Sequence, residues 1–445
     1  MNMLRMIWVI ALLGLSCVCQ SARAAPRIVY EGTLQNAGTV VMELDGHPAR
    51  DSTLSGRYFY TRFGVDIPLH GTPENLVEPL PLADLTDNGS EYSKARFDHP
   101  AAIWRGVLDR SGYRGQWVDA RTGTTRNFTL KRVAEYDPYE IVRGIVEQHK
   151  PGTGGVSDTE PAEDPEDGII RLSDEINFKQ VPYETLKFAG HAQPFGPEIG
   201  NGVVAYRMWR DPRTKFAWPR LSRYPNRTIM ARINRLLEQR HWQLSRDALD
   251  CVATRYTSDG PAAGTLGGFD EEKVQVTWLS TALMGITDSG SIFCGGAHPD
   301  NHYDFYTLDL LHGRYLDWNL IIDARQHNKD GTWEASPALE RFIRTLSAQR
   351  QNRAANKNKG KEENDDVSCL DASILVGYLD FALYAPDTFS FTVSDVPHVM
   401  GACLGPQLDV KLNALSPILR PGAQRYLVPD VIPRPAGAND WRAGD

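Results

Sequence analysis

Between residues 26 and 135 apolar and polar positions alternate in short runs separated by glycine-containing turns. Thr39–Leu44, Ser55–Tyr60, Val65–Leu69, Trp104–Leu108, Tyr113–Trp117 and Asn127–Lys131 each show the period of two that puts one face of a strand in a core. Asp45-Gly46, Phe63-Gly64, Ser111-Gly112 and Thr122-Gly123 supply the turns. Short strands at this spacing predict a small antiparallel sandwich or roll. Two strands, Gly56–Tyr60 and Gly112–Trp117, frame aromatics with glycine. The reading is core aromatics beside close-packed glycines, with a ligand-stacking aromatic face as the alternative.

From about residue 173 the period becomes mixed. Val203–Tyr206 reads as a strand. Ile229, Ile233, Leu236 and Leu237 share one helical face, with Asn226 as N-cap. Val274–Leu279 and Ala282–Ile286 read as strands, and Gly285–Gly290 as a hairpin turn leading to Ser291–Cys294. Pro337 opens a helix whose face is Leu339, Phe342, Ile343 and Leu346. Leu375–Tyr384 and Thr388–Val393 form a hairpin around Ala385-Pro386-Asp387. The predicted class is α+β: a small all-β domain, then an antiparallel sheet with helices on one face.

Composition sets the boundaries. Residues 1–25 read as a cleaved leader, with Arg5, an apolar core over Ile7–Leu15 and an Ala22-Arg23-Ala24 cleavage site. Gly14-Leu15-Ser16-Cys17 lacks the leucine of a lipoprotein signal, so no lipid anchor is expected. The expected segments are 26–135 (β domain), 136–172 (acidic Gly/Pro linker), 173–432 (α+β domain) and 433–445 (tail). Within the α+β domain, 349–366 reads as a polar surface loop. Losing Arg5 and Arg23 with the leader takes the formal charge from −8 to −10. An acidic chain without a basic run is a poor nucleic-acid binder. No apolar run beyond the leader is long enough to span a bilayer, so the expectation is a soluble periplasmic protein.

Of six cysteines, Cys251, Cys294, Cys369 and Cys403 remain after the leader. An even number in an exported chain predicts two disulfides. Three pairings are open, and the locally connected ones, Cys251–Cys294 and Cys369–Cys403, are preferred.

The chemistry-bearing stretch is the turn Cys294-Gly295-Gly296-Ala297-His298-Pro299-Asp300, which joins two apolar runs. Its glycines permit backbone angles other residues avoid, and Pro299 ends the first strand. His298, Asp300, His302 and Asp304 fall at every second position, so an extended chain would place them on one face. Two imidazoles and two carboxylates are zinc donors. Same-face neighbours are about 7 Å apart, however, too far for all four to share an ion unless the turn curls. The preferred reading is a polar solvent face, with His298 fixing the turn by a hydrogen bond. No nucleophile elbow, His-Glu-x-x-His or phosphate loop is present, so neither catalysis nor a cofactor is expected. Acidic pairs such as Glu271-Glu272 read as solvated, and Trp209, Trp218, Tyr224 and Trp278 as core before glycan groove.

The order of elements resembles a family of exported bacterial domains first catalogued without function. The matching pieces are Tyr224-Pro225 before the Ile229–Asn234 helix motif, the Gly295–Pro299 turn, Leu308-Asp309-Leu310 with Gly313 and Leu316, and Tyr384-Ala385-Pro386. Such domains form the extracytoplasmic half of a lysozyme-sensing anti-sigma factor and accompany certain peptidoglycan deacetylase domains. The resemblance covers about residues 176–430. It implies a non-catalytic binding or sensing protein whose partner is a cell-wall glycan or a lysozyme-like protein, with Gly295, Gly296, His298, Pro299, Asp300 and His302 at its characteristic turn. The alternative is an envelope hydrolase or metalloenzyme centred on His298, Asp300 and His302.

Overall fold

The computed structural model describes residues 26–45, 53–84, 100–138, 180–327, 333–357, 369 and 371–432. The expected leader, linker residues 139–172 and the tail lie outside them.

Strands β1 (Arg27–Leu34), β2 (Gly38–Asp45), β3 (Leu54–Tyr60), β4 (Ile67–Thr72), β5 (Asn75–Pro79), β6 (Pro100–Asp109), β7 (Gly112–Asp119) and β8 (Thr125–Tyr136) pair antiparallel in chain order. β1 also pairs with β8, from Arg27↔Tyr136 to Leu34↔Phe128. The front half is therefore a closed barrel, not the expected open sandwich or roll. Closure leaves no edge strand exposed to other chains. Tyr30, Met42, Tyr58, Trp104, Tyr113 and Leu130 belong to its buried core. Of the aromatics in the glycine-framed strands, Tyr58 and Tyr113 are core as expected, Tyr60 and Trp117 are half-buried against it, and Phe59 is buried on the outer face. Gly115 faces Gly106 across β6 and β7, and a Cβ on Gly115 would collide with the Arg105 carbonyl.

The barrel also has an apolar outer face. Val29, Val41 and Phe59 pack against Tyr183 of helix α1 (Pro182–Phe188). A buried charge network surrounds this contact. Asp66 accepts from Arg57 Nη1 at 2.7 Å, Tyr183 Oη at 2.8 Å and Lys187 Nζ at 2.8 Å. Arg57 also donates to Glu43 and Glu184. This network joins the barrel to the rear half.

The rear half holds a three-stranded sheet, β9 (Gln193–Gly200), β10 (Ala205–Arg210) and β11 (Ala217–Arg223), then helix α2 (Arg227–Ala253). β12 (Lys273–Leu279), β13 (Leu283–Ile292), β14 (Asp300–Asp309) and β15 (Arg314–Tyr315) make the central sheet. β16 (Arg325–His327) pairs with β17 (Trp333–Ala335); helices α3 (Pro337–Lys357) and α4 (Ala372–Gly377) follow. β18 (Leu379–Tyr384), β19 (Thr388–Val393) and β20 (Gly405–Lys411) complete the chain. Both disulfides join the preferred cysteines, Cys251–Cys294 and Cys369–Cys403.

Helices do not occupy one face only. Met284, Ile286 and Leu308 of the central sheet pack with Ile233, Leu237 and Leu244 of α2 and with Trp218 of β11. Trp278 and Leu283, on the opposite face, pack with Phe381, Phe389 and Phe391 of the last sheet and with Leu339 and Ile343 of α3. The chain is mostly β, and its second apolar face needs a second cover. Three further expectations change. Gly285–Gly290 is the interior of β13, not a turn. Residues 349–357 of the expected polar loop continue α3, while 358–366 lie outside the described residues. Leu375–Gly377, expected to begin a strand, ends the helix Ala372–Gly377.

Asn226 caps α2 as expected, accepting from Thr228 N at 3.0 Å and Ile229 N at 3.1 Å. Asn226→Ala should cost about 1 kcal/mol, read as a lowered midpoint in thermal unfolding followed by circular dichroism. An unchanged midpoint would mean that packing alone fixes the start of the helix.

Candidate functional site

The site grows from the register of three strands. β13 presents Met284, Ile286, Asp288, Gly290 and Ile292 to the α2 side, an apolar row interrupted by an acid and a glycine. Asp288 faces Asp304 across β14, and Gly290 faces His302. Lys273 of β12 pairs with Ser289, which brings Glu272 beside Gly290. A Cβ at Gly290 would collide with Oε1 of the Glu272 carboxylate. The glycine thus leaves the space in which Glu272 and His302 meet.

His302 Nε2 lies 2.9 Å from Glu272 Oε2, and the Glu272 side chain is 1% exposed. Apart from this contact neither Glu272 oxygen receives a hydrogen bond. Asp288 is 0% exposed, and both its oxygens and His302 Nδ1 have no hydrogen-bond partner. Burial, with the Glu272 charge, pushes the Asp288 carboxyl up to about 7. Burial pulls the His302 imidazole down, but the hydrogen bond and charge of Glu272 outweigh it and raise it to about 9. Asp304 is also raised, chiefly by burial, and Arg240 of α2 lies 3.6 Å from its carboxylate. Glu272, read from sequence as one of a solvated pair, is a buried member of this group.

Above the group is an open cleft of about 450 Å³, with Asp247, Asp300, His302, Asp304, Asp395 and Arg240 among its lining residues. Gly295, Gly296, His298 and Pro299 stand exposed next to it in chain order. Gly295 and Gly296 have φ of 121° and 103°, where a side chain would be strained. His298 Nδ1 lies 3.1 Å from the Pro299 carbonyl, and its ring stacks on His398 with centroids 4.0 Å apart. The two disulfides reach both histidine-bearing turns: Cys294 opens the first, and Cys403 ends the turn over His398–Cys403. Val399, 90% exposed, neighbours His398.

Among the described residues, one group of metal-ligating side chains converges, and it is Glu272, Asp288 and His302. His298 and Asp300, the other members of the sequence-derived trio, are not in it. The remaining motif residues hold the fold. Tyr224 donates to the Leu310 carbonyl at 2.7 Å. Asn234 exchanges two hydrogen bonds with the Leu221 backbone. Asp309 is buried and accepts from Leu311 N and His312 N. Trp218 and Trp278 are buried core, as expected.

No protein-family model and no curated protein matches the chain.

Proposed function

We propose that the chain is an exported, non-catalytic binding or sensing protein of the periplasm. Its rear half recognises a cell-wall component or a cationic wall-lytic protein such as lysozyme. The observation that carries this reading is the open cleft beside the Gly295–Pro299 turn, lined by Asp247, Asp300, Asp304 and Asp395 with Arg240 among them. A concave surface rich in carboxylates attracts and orients cationic groups. The formal charge of −8 acts in the same direction. Disulfides at both turns favour a preformed rim, which lowers the ordering cost of binding. They also suit an oxidising compartment. Among the described residues no helix is long and apolar enough to cross a membrane.

Calorimetric titration of the full mature chain with lysozyme, and separately with soluble wall fragments, tests the reading. Saturable heat with one of them is expected, with affinity falling as salt rises. No heat with either, at protein concentrations well above micromolar, would remove it.

A further inference from the structure

We propose that Glu272, Asp288 and His302 bind one divalent transition-metal ion, zinc by preference, at the floor of the acidic cleft.

The three ligand atoms lie within 4.8 Å of one another, Asp288 on β13, His302 on β14 and Glu272 just before β12. One imidazole and two carboxylates are the donors of a zinc site that keeps an open position. The surroundings are rich in donors: the Glu272 side chain is 1% exposed, Asp288 is fully buried, and Asp304 lies across from Asp288 on β14 with Arg240 facing it. Asp288 supplies an independent sign: it is fully buried, yet neither oxygen accepts a hydrogen bond. Gly290 supplies another, because any larger residue would displace the Glu272 carboxylate. An ion pair between Glu272 and His302 alone would leave Asp288 unexplained.

His302 also lines the cleft, so the group lies next to it. Asp304 stays outside the set, since its carboxylate is engaged by Tyr306 at 3.2 Å and faces Arg240. The site does not depend on the identity of the cleft's larger ligand, and zinc binding can succeed where lysozyme or wall-fragment binding fails.

The test is titration of zinc chloride alone into the full mature chain after chelator treatment. Calorimetry gives stoichiometry, and thermal unfolding gives the shift. One equivalent should bind and raise the wild-type melting temperature. Asp288→Asn should weaken binding by at least about tenfold and remove most of the thermal shift. Should Glu272→Gln or His302→Ala fail to fold, Asp288→Asn still decides, because it keeps the side-chain shape and breaks no hydrogen bond, so the apo protein should fold. His298→Ala should bind zinc like the wild type. X-ray absorption at the zinc edge should show a single imidazole. Loss of zinc in His298→Ala, or two imidazoles in the spectrum, would place the ion on the exposed His298–His398 pair and overturn the assignment. Less than a tenth of an equivalent bound to the wild type would overturn it too.

Discussion

Asp66→Asn should lower stability by about 3–5 kcal/mol, measured as the shift of the urea midpoint with the slope held in view. Asp66 lies before β4 and accepts from Arg57, Tyr183 and Lys187, so one carboxylate joins the barrel to α1. Lys187 is 0% exposed, and its other carboxylate, Glu184, is 3.6 Å away. The amide keeps the shape and removes the charge, leaving the Lys187 ammonium largely uncompensated. Burial alone would push the Asp66 carboxyl up, but Lys187 and Arg57 hold it below its ordinary value. A carboxyl depressed in the fold adds stability above its unfolded pKa and loses it as pH falls through the folded one. The difference between wild type and Asp66→Asn should therefore shrink in acid. A loss below about 1 kcal/mol at neutral pH would show that the network is solvated and that the barrel is only loosely joined to the rear half.

Glu78→Leu should cost about 3 kcal/mol, because it strands donors inside the barrel. Glu78 Oε1 accepts from Tyr58 Oη at 2.7 Å, Trp104 Nε1 at 2.8 Å and Trp117 Nε1 at 2.6 Å. Tyr58 and Trp104 are fully buried and out of reach of water. Glu78→Gln keeps an acceptor oxygen and should cost much less. Burial raises the Glu78 carboxyl above its ordinary value, against the three donors that favour the anion. A group raised in the fold contributes stability below its unfolded pKa and loses it as pH rises through the folded one. The wild type should therefore gain on Glu78→Gln as pH is lowered. Equal losses for the two variants, at any pH, would mean that volume and not the hydrogen-bonded oxygen matters.

β6, β7 and β8 keep one face wet, and the expected runs 104–108, 113–117 and 127–131 fall within them. The runs 39–44 and 55–60 fall within β2 and β3 although Val41 and Phe59 pack under α1, and Val65–Leu69 meets β4 only from Ile67. In β1 the successive apolar residues Ile28, Val29 and Tyr30 blur the period: Ile28 and Tyr30 belong to the barrel core, and Val29 packs under α1. β5 is hidden because it is short and turns Glu78 inward where an apolar residue would ordinarily stand. Closure of the barrel depends on β1 meeting β8 about a hundred residues later, a contact no local pattern encodes. In the rear half the helix over Ile229–Leu237 and both disulfide pairings were legible from local spacing.

The candidate site was legible only in part, and for the same physical reason. Period two runs through Met284, Ile286, Asp288, Gly290 and Ile292, but the acid and the glycine made the segment look like a turn. An acid and a glycine on the inward row of an otherwise apolar strand were the available signal. His302 was found by its alternation with Asp300 and Asp304, which β14 preserves. Glu272 could not be found that way, because its partner across Gly290 lies 30 residues further along the chain. His398 was missed because nothing in its own segment suggests that it meets His298.

The most direct test of the account is calorimetric titration of lysozyme into the wild type and into the Asp300→Asn/Asp395→Asn double variant at one ionic strength. If the acidic cleft beside the Gly295–Pro299 turn is the docking surface, the wild type binds saturably and the double variant binds at least about tenfold more weakly, a loss near 1.4 kcal/mol. Equal affinity in the two proteins, or no heat from the wild type, would contradict it.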